Sequence, residues 1–128
     1  MTTSTRCLRT VPMLMVMGLI FFLSQLPGSS LQLPPLPEVD KLGHGILYAL
    51  LAASTILAIT PTPARRTLRA GLLVVLFCLL YGISDEFHQS FVPGRDPSGG
   101  DILADTIGAA VAVAVWLRCC RTRWVKTA

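Results

Sequence analysis

At 128 residues, with 52% apolar and only 14% charged side chains, the chain excludes an ordinary water-soluble domain, which carries about 25% charged residues. Its mean hydropathy of +0.62 points to a membrane, and its length leaves no room for a second domain, so residues 1–128 are read as one integral membrane unit. The net charge is +4, but its distribution says more than its sum.

The first apolar run is VPMLMVMGLIFFLSQL, residues 11–26. Arg6 and Arg9 before it and PGSS after it would also fit a cleaved signal peptide. No small-x-small site follows cleanly, however, so a retained helix is expected. The segment 27–40, with Pro27, Pro34, Pro35 and Pro37, is expected to be an extended, partly polyproline loop.

The second run is residues 42–60, the third 70–91 and the fourth 101–117. A bilayer core of about 30 Å needs about 20 helical residues, and helices are the only open-ended way to satisfy every backbone group in lipid. The fold class predicted is therefore all-α, a four-helix transmembrane bundle with helices over about 11–26, 42–60, 70–91 and 101–117. Pro61 and Pro63 end the second helix in a short turn. Residues 92–100, VPGRDPSGG, form a tight loop between the third and fourth. Short connections make helices two, three and four antiparallel neighbours.

The basic residues orient the bundle. Arg6, Arg9, Arg65, Arg66, Arg69, Arg118, Arg121, Arg123 and Lys126 fall on one side; only Lys41 and Arg95 fall on the other. The positive-inside rule makes the first side cytoplasmic, with both termini inside. All the acidic residues (Glu38, Asp40, Asp85, Glu86, Asp96, Asp101 and Asp105) belong to the outer half. Acidic residues contribute little to topology, so their one-sidedness needs another cause. The arginines are scattered over three segments, and topology plus attraction to anionic lipid accounts for them; nucleic-acid binding is not expected.

Periodicity gathers the outer polar residues. Asp40, His44 and Tyr48 recur at four-residue spacing and share a face, with Lys41 beside them. On the third helix Asp85, His88 and Gln89 lie in one arc above Tyr81, Glu86 lies at its edge, and Ile83 and Phe87 point away. Asp101 and Asp105 open the fourth helix, and Gly108 and Ala112 continue their stripe. Charged groups within spanning helices face the bundle interior and mark function by default. The expectation is a polar pocket at the outer face, formed by Asp40, Lys41, His44, Tyr48, Asp85, Glu86, Gln89, Arg95, Asp101 and Asp105. Each residue also has a plainer reading. Arg95 and Lys41 would neutralise carboxylates in a structural network, Asp101 would complement a helix dipole, and Gly108 with Ala112 would form a small-residue packing seam.

Cys7, Cys78, Cys119 and Cys120 lie at cytoplasmic ends or mid-membrane, so no disulfide framework is expected. No Cys/His spacing suggests a metal, and no metal site or cofactor is assigned.

The segments FFLSQLPG (21–28), DKLGHGILYALLA (40–52), GISDEFHQSFVPGRD (82–96) and DILADTIGA (101–109) together resemble the VanZ-like family of small bacterial membrane proteins. The resemblance rests on Asp40, Lys41, His44 and Tyr48; on Asp85, Glu86 and Gln89 followed by Pro93, Gly94 and Arg95; and on Asp101, Asp105 and Gly108. Asp105 stands where that family usually has asparagine, adding a charge in place of a neutral amide. The resemblance implies a multi-pass protein of the cell envelope, in a family named for a protein associated with resistance to teicoplanin, a lipid-bearing glycopeptide antibiotic.

Two function classes fit these residues. In the first, the pocket binds a lipid headgroup, wall precursor or amphipathic compound without catalysis, Arg95 and Lys41 holding phosphate or carboxylate. This is the favoured expectation. In the second, Asp85, Glu86, Asp101 and Asp105 hold Mg²⁺ or Mn²⁺, and His44 or His88 is the acid or base of an enzyme acting on a phosphate-bearing lipid or precursor. Ion translocation ranks last, because below Tyr48 and Tyr81 only Ser54, Thr55 and Cys78 continue the polar path. The partners expected are the bilayer and such an amphipathic ligand; no oligomeric state is assigned.

Overall fold

The computed structural model describes residues 3–28, 37–60 and 67–125, with side chains described over 7–28, 39–60 and 67–119. The described residues form four α-helices and no strand: α1 (Thr3–Ser24), α2 (Pro37–Ile59), α3 (Leu68–Gln89) and α4 (Gly99–Val125). All four are long and apolar enough to cross a membrane, over Cys7–Ser24, Val39–Ile59, Leu68–Gln89 and Gly99–Cys119. Of the extended loop expected at residues 27–40, Pro37–Asp40 are instead helical, while residues 29–36 and the turn holding Pro61 and Pro63 lie outside the described residues. So do Lys126 and the side chains of Arg6, Glu38, Arg65, Arg66, Cys120, Arg121 and Arg123.

The helices do not coincide with the apolar runs. α1 begins at Thr3, passes through Pro12 and stops at Ser24, while α4 continues to Val125. Hydropathy marks what sits in lipid, whereas the i to i−4 hydrogen-bond ladder continues into polar flanks. α2 starts at Pro37, a residue suited to the first helical position because its missing N–H would have had no intrahelical partner. Thr67 starts α3 by accepting the Ala70 amide on its hydroxyl at 3.1 Å.

α2 is the central helix. It packs most extensively on α4 and next on α1, while α3 leans mainly on α4. Sequence-adjacent α2 and α3 thus touch less than either touches α4, a departure from the simple meander of neighbours. Lipid offers no hydrophobic drive between helices, so close backbone approach decides which pairs form. At the α2–α4 crossing Gly108 lies against the backbone of Gly45, and a Cβ there would overlap the Gly45 carbonyl. Gly45 was not anticipated as the other half of the seam that Gly108 announced.

The buried core, Ile20, Leu51, Ala52, Ile56, Val74, Cys78, Ala109 and Val113, is drawn from all four helices. Large apolar side chains such as Leu14, Met15, Phe22, Leu57, Leu72, Leu80 and Leu103 remain exposed on the outside. That is the pattern of a bundle solvated by hydrocarbon.

Two contacts establish which helix ends lie together. The Gly28 amide donates to the Pro93 carbonyl at 3.3 Å, so the ends of α1 and α3 meet. Lys41 Nζ lies 3.8 Å from Asp101 Oδ1, so the starts of α2 and α4 meet. Asp40, Asp85, Glu86, Asp101 and Asp105 gather at that end; Arg9, Arg69 and Arg118 lie towards the other.

Candidate functional site

A cavity of about 150 Å³ opens at the acidic end between α1, α2 and α3. Its apolar wall is Ile20, Leu23, Val39 and Leu47; its polar residues are Ser24, Asp40, His44, Tyr48, Asp85, Gln89 and Arg95. Six of the ten expected site residues therefore share one cavity. Ser24, which periodicity did not single out, joins them. Its hydroxyl donates to Asp85 Oδ1 at 2.6 Å, while the Gln89 amide donates to Asp85 Oδ2 at 3.0 Å. Asp85 is thereby hydrogen-bonded on both oxygens, which a buried carboxylate needs. The available signal for Ser24 was its position as the last hydroxyl before Leu26, Pro27 and Gly28, at the level of Asp85.

The other four residues lie on the α2–α4 side. Ser98 organises them: its amide donates to Glu86 Oε2 at 2.9 Å, and its hydroxyl accepts the Asp101 amide at 3.2 Å. The second bond caps the N-terminus of α4, in the spacing SGGD that marks helix starts. Lys41, with a side chain 47% exposed, pairs only loosely with Asp101. Asp105 is fully buried, and its Oδ1 lies 3.0 Å from His44 Nδ1. His44 thus belongs to both halves, lining the cavity and joining α2 to α4. Asp105 finds its space because the facing residue on α3 is Gly82, where a Cβ would stand 2.8 Å from Asp105 Oδ2 and 3.5 Å from Tyr48 Cε1.

Several expectations about partners change. Arg95 pairs with no carboxylate among the described residues: its Nε donates to the Leu26 carbonyl at 3.0 Å and its Nη2 to the Leu23 carbonyl at 2.7 Å. The last carbonyls of a helix lack intrahelical donors, so the guanidinium caps α1. His88, grouped with Asp85 by periodicity, instead lies against the ring of Phe21, centroids 4.8 Å apart, and does not line the cavity. The four carboxylates expected to share Mg²⁺ or Mn²⁺ are also divided: Asp85 faces α1, Glu86 and Asp101 meet at Ser98, and Asp105 faces His44. The metal-like grouping among the described residues is instead Asp40, His44 and Asp101, with donor atoms within 4.8 Å of one another.

Below this level the polar path ends. Tyr81 donates to the Met17 carbonyl at 2.8 Å. Ser54 and Thr55 both bond back to the Leu51 carbonyl, at 2.9 and 2.8 Å, and their neighbours Leu51, Ala52 and Ile56 are buried and apolar. Among the described residues the polar groups of the cavity therefore stop at this floor. Several buried polar atoms nevertheless have no hydrogen-bond partner among the described residues: Tyr48 Oη, Glu86 Oε1, Asp101 Oδ1 and Asp105 Oδ2.

The sequence model of the VanZ/LLP1 family matches residues 10–121. The match takes in most of the first span, the other three spans and the whole acidic end. No curated protein and no solved structure matches the chain significantly.

Proposed function

The chain belongs to the VanZ/LLP1 family, and on that premise we propose that it binds the polar head of an amphipathic envelope molecule. It does so without catalysis, as a multi-pass protein of the plasma membrane. The distribution of basic residues supports both termini in the cytoplasm and the cavity at the external face. The observation that carries this reading is the composition of the cavity, where an apolar wall on α1 and α2 stands beside Ser24, Asp40, His44, Asp85 and Gln89. Such a site suits a molecule whose tail lies in the membrane and whose head is polar.

The head is better matched by hydroxyl and amine donors than by a bare phosphate. Arg95 has two of its donor nitrogens on the Leu23 and Leu26 carbonyls at the end of α1 and just beyond it, and Lys41 is turned to Asp101, outside the cavity lining. Asp40, and the further lone pairs of Asp85 beyond its bonds from Ser24 and Gln89, remain as acceptors. Lipid headgroups, wall precursors and lipid-bearing glycopeptides all offer such donors. A contribution to teicoplanin-type resistance is the cellular role that this binding would serve.

The test is native mass spectrometry of the chain released from nanodiscs of envelope lipid, comparing wild type with Asp85→Asn/Gln89→Leu. Selective retention of one amphiphile class by wild type, lost in the variant, is expected. Equal retention by both would remove the cavity from the account. In cells, a deletion strain complemented with the same variant should show the deletion's glycopeptide susceptibility.

A further inference from the structure

Four acidic side chains from three helices surround His44, and the cations beside them are too few. Asp40 and His44 lie one turn apart on α2, Asp101 opens α4, and donor atoms of the three lie within 4.8 Å of one another. Asp105 backs His44, and Glu86 joins Asp101 through Ser98. Lys41 supplies one half-exposed ammonium at 3.8 Å, while Arg95 is held by the Leu23 and Leu26 carbonyls. Carboxylates at membrane depth are costly, and beyond Lys41 and the His44 ring that pairs with Asp105 a bound cation would stabilise the set further.

Two further observations point to a metal ion. Asp101 is only 6% exposed, yet its Oδ1 accepts no hydrogen bond. The nearest ammonium, at 3.8 Å, is beyond hydrogen-bond reach. Independently, His44 Nδ1 faces the fully buried carboxylate of Asp105 at 3.0 Å. A neutral ring held that way donates from Nδ1 and keeps its lone pair on Nε2, which is how metal-ligating histidines are oriented.

We infer that Asp40, His44 and Asp101 bind a divalent transition-metal ion at the acidic end of the bundle. Asp105 is the positioning partner of His44. One imidazole and two carboxylates suit Zn²⁺ or Mn²⁺ better than Ca²⁺ or Mg²⁺, which favour all-oxygen surroundings. Tetrahedral ligands at about 2.1 Å from an ion stand about 3.4 Å apart, so the side chains must draw in from their present spacing to close the site. Three protein ligands leave a coordination position open. Asp40 and His44 also line the cavity, so an ion held by them would sit beside it. The inference goes beyond the binding reading and is measured with no amphiphile present.

The experiment uses the full-length chain in detergent micelles, freed of any affinity tag and stripped with chelator. It is dialysed against Zn²⁺, Mn²⁺ or Mg²⁺ in turn, and bound metal is read by elemental analysis. About one Zn²⁺ or Mn²⁺ per chain is expected. Affinity should fall at least tenfold in Asp101→Asn and His44→Gln, and about 10–100-fold in Asp105→Asn, while Asp96→Asn in the exposed loop binds like wild type. Should a variant fail to fold, the wild type decides: saturating Zn²⁺ or Mn²⁺ must raise its Tm by several degrees. No saturable binding to wild type, retention of Mg²⁺ alone, or equal binding by a folded Asp40→Asn/Asp101→Asn variant would overturn the assignment.

Discussion

His44 and Asp105 are 61 positions apart in the chain, and Nδ1 of one lies 3.0 Å from Oδ1 of the other. The contact ties α2 to α4 inside the bundle, at a carboxylate with no solvent exposure. Neither partner can exchange the other for water at little cost.

Replacing Asp105 by leucine leaves the His44 donor unpaired and should destabilise the protein by about 1–3 kcal/mol. Asparagine, which the family resemblance leads one to expect at this position, keeps an acceptor oxygen and should cost under about 1 kcal/mol. Denaturant unfolding in micelles separates the two; a leucine variant as stable as the asparagine variant would show that the contact contributes little.

The α2–α4 crossing gives an asymmetric prediction. A methyl group on Gly108 would overlap the Gly45 backbone, whereas one on Gly45 would meet the Ala104 carbonyl at 3.6 Å, an ordinary contact. Gly108→Ala should therefore force the helices apart and cost about 3 kcal/mol or more, with Gly45→Ala near neutral. Size-exclusion profiles and melting in the same detergent test this. Equal tolerance of both changes would contradict the close approach.

Arg95 should matter to α1 more than to any carboxylate. Arg95→Gln removes charge-assisted bonds to the Leu23 and Leu26 carbonyls and should cost about 1.5–3 kcal/mol. Lysine should recover only part of this, because a single ammonium does not reproduce the guanidinium fork. Hydrogen exchange should rise in α1's last turn while α4 stays protected. Uniform exchange across the bundle would argue against local capping.

Orientation is testable with single cysteines in a background lacking the native four. Asp96→Cys, in an exposed loop, should react with a membrane-impermeant maleimide in intact cells. Arg69→Cys, exposed at the start of α3, should react only after permeabilisation. The reverse pattern would turn the acidic end inward and remove an extracellular ligand from consideration.

The expected pocket was legible in part. Spacing placed Asp40, His44 and Tyr48 on one face, and all three line the cavity beside Asp85 and Gln89. The same spacing grouped His88 with Asp85, yet His88 lies against Phe21. At about 100° per residue, Asp85, His88 and Gln89 spread over a broad arc; Asp85 and His88 both meet α1, through Ser24 and Phe21, but only Asp85 turns into the cavity. Ser24 and Gly45 passed unremarked because a lone serine or glycine in an apolar run carries no period.

The linear sequence determined four spans, the segregation of acids from arginines and membership of the family. Crossing a bilayer depends on the summed hydropathy of one contiguous stretch, and the basic flanks are local too. Only the tertiary structure decided that Asp85 is satisfied by Ser24, that Arg95 caps α1, and that one expected cluster divides across α2 with His44 in both parts. Those outcomes depend on how each helix is rotated and which helix it meets. In lipid, that is set by backbone approach at Gly45 and Gly108 and by the partner each buried polar group must find.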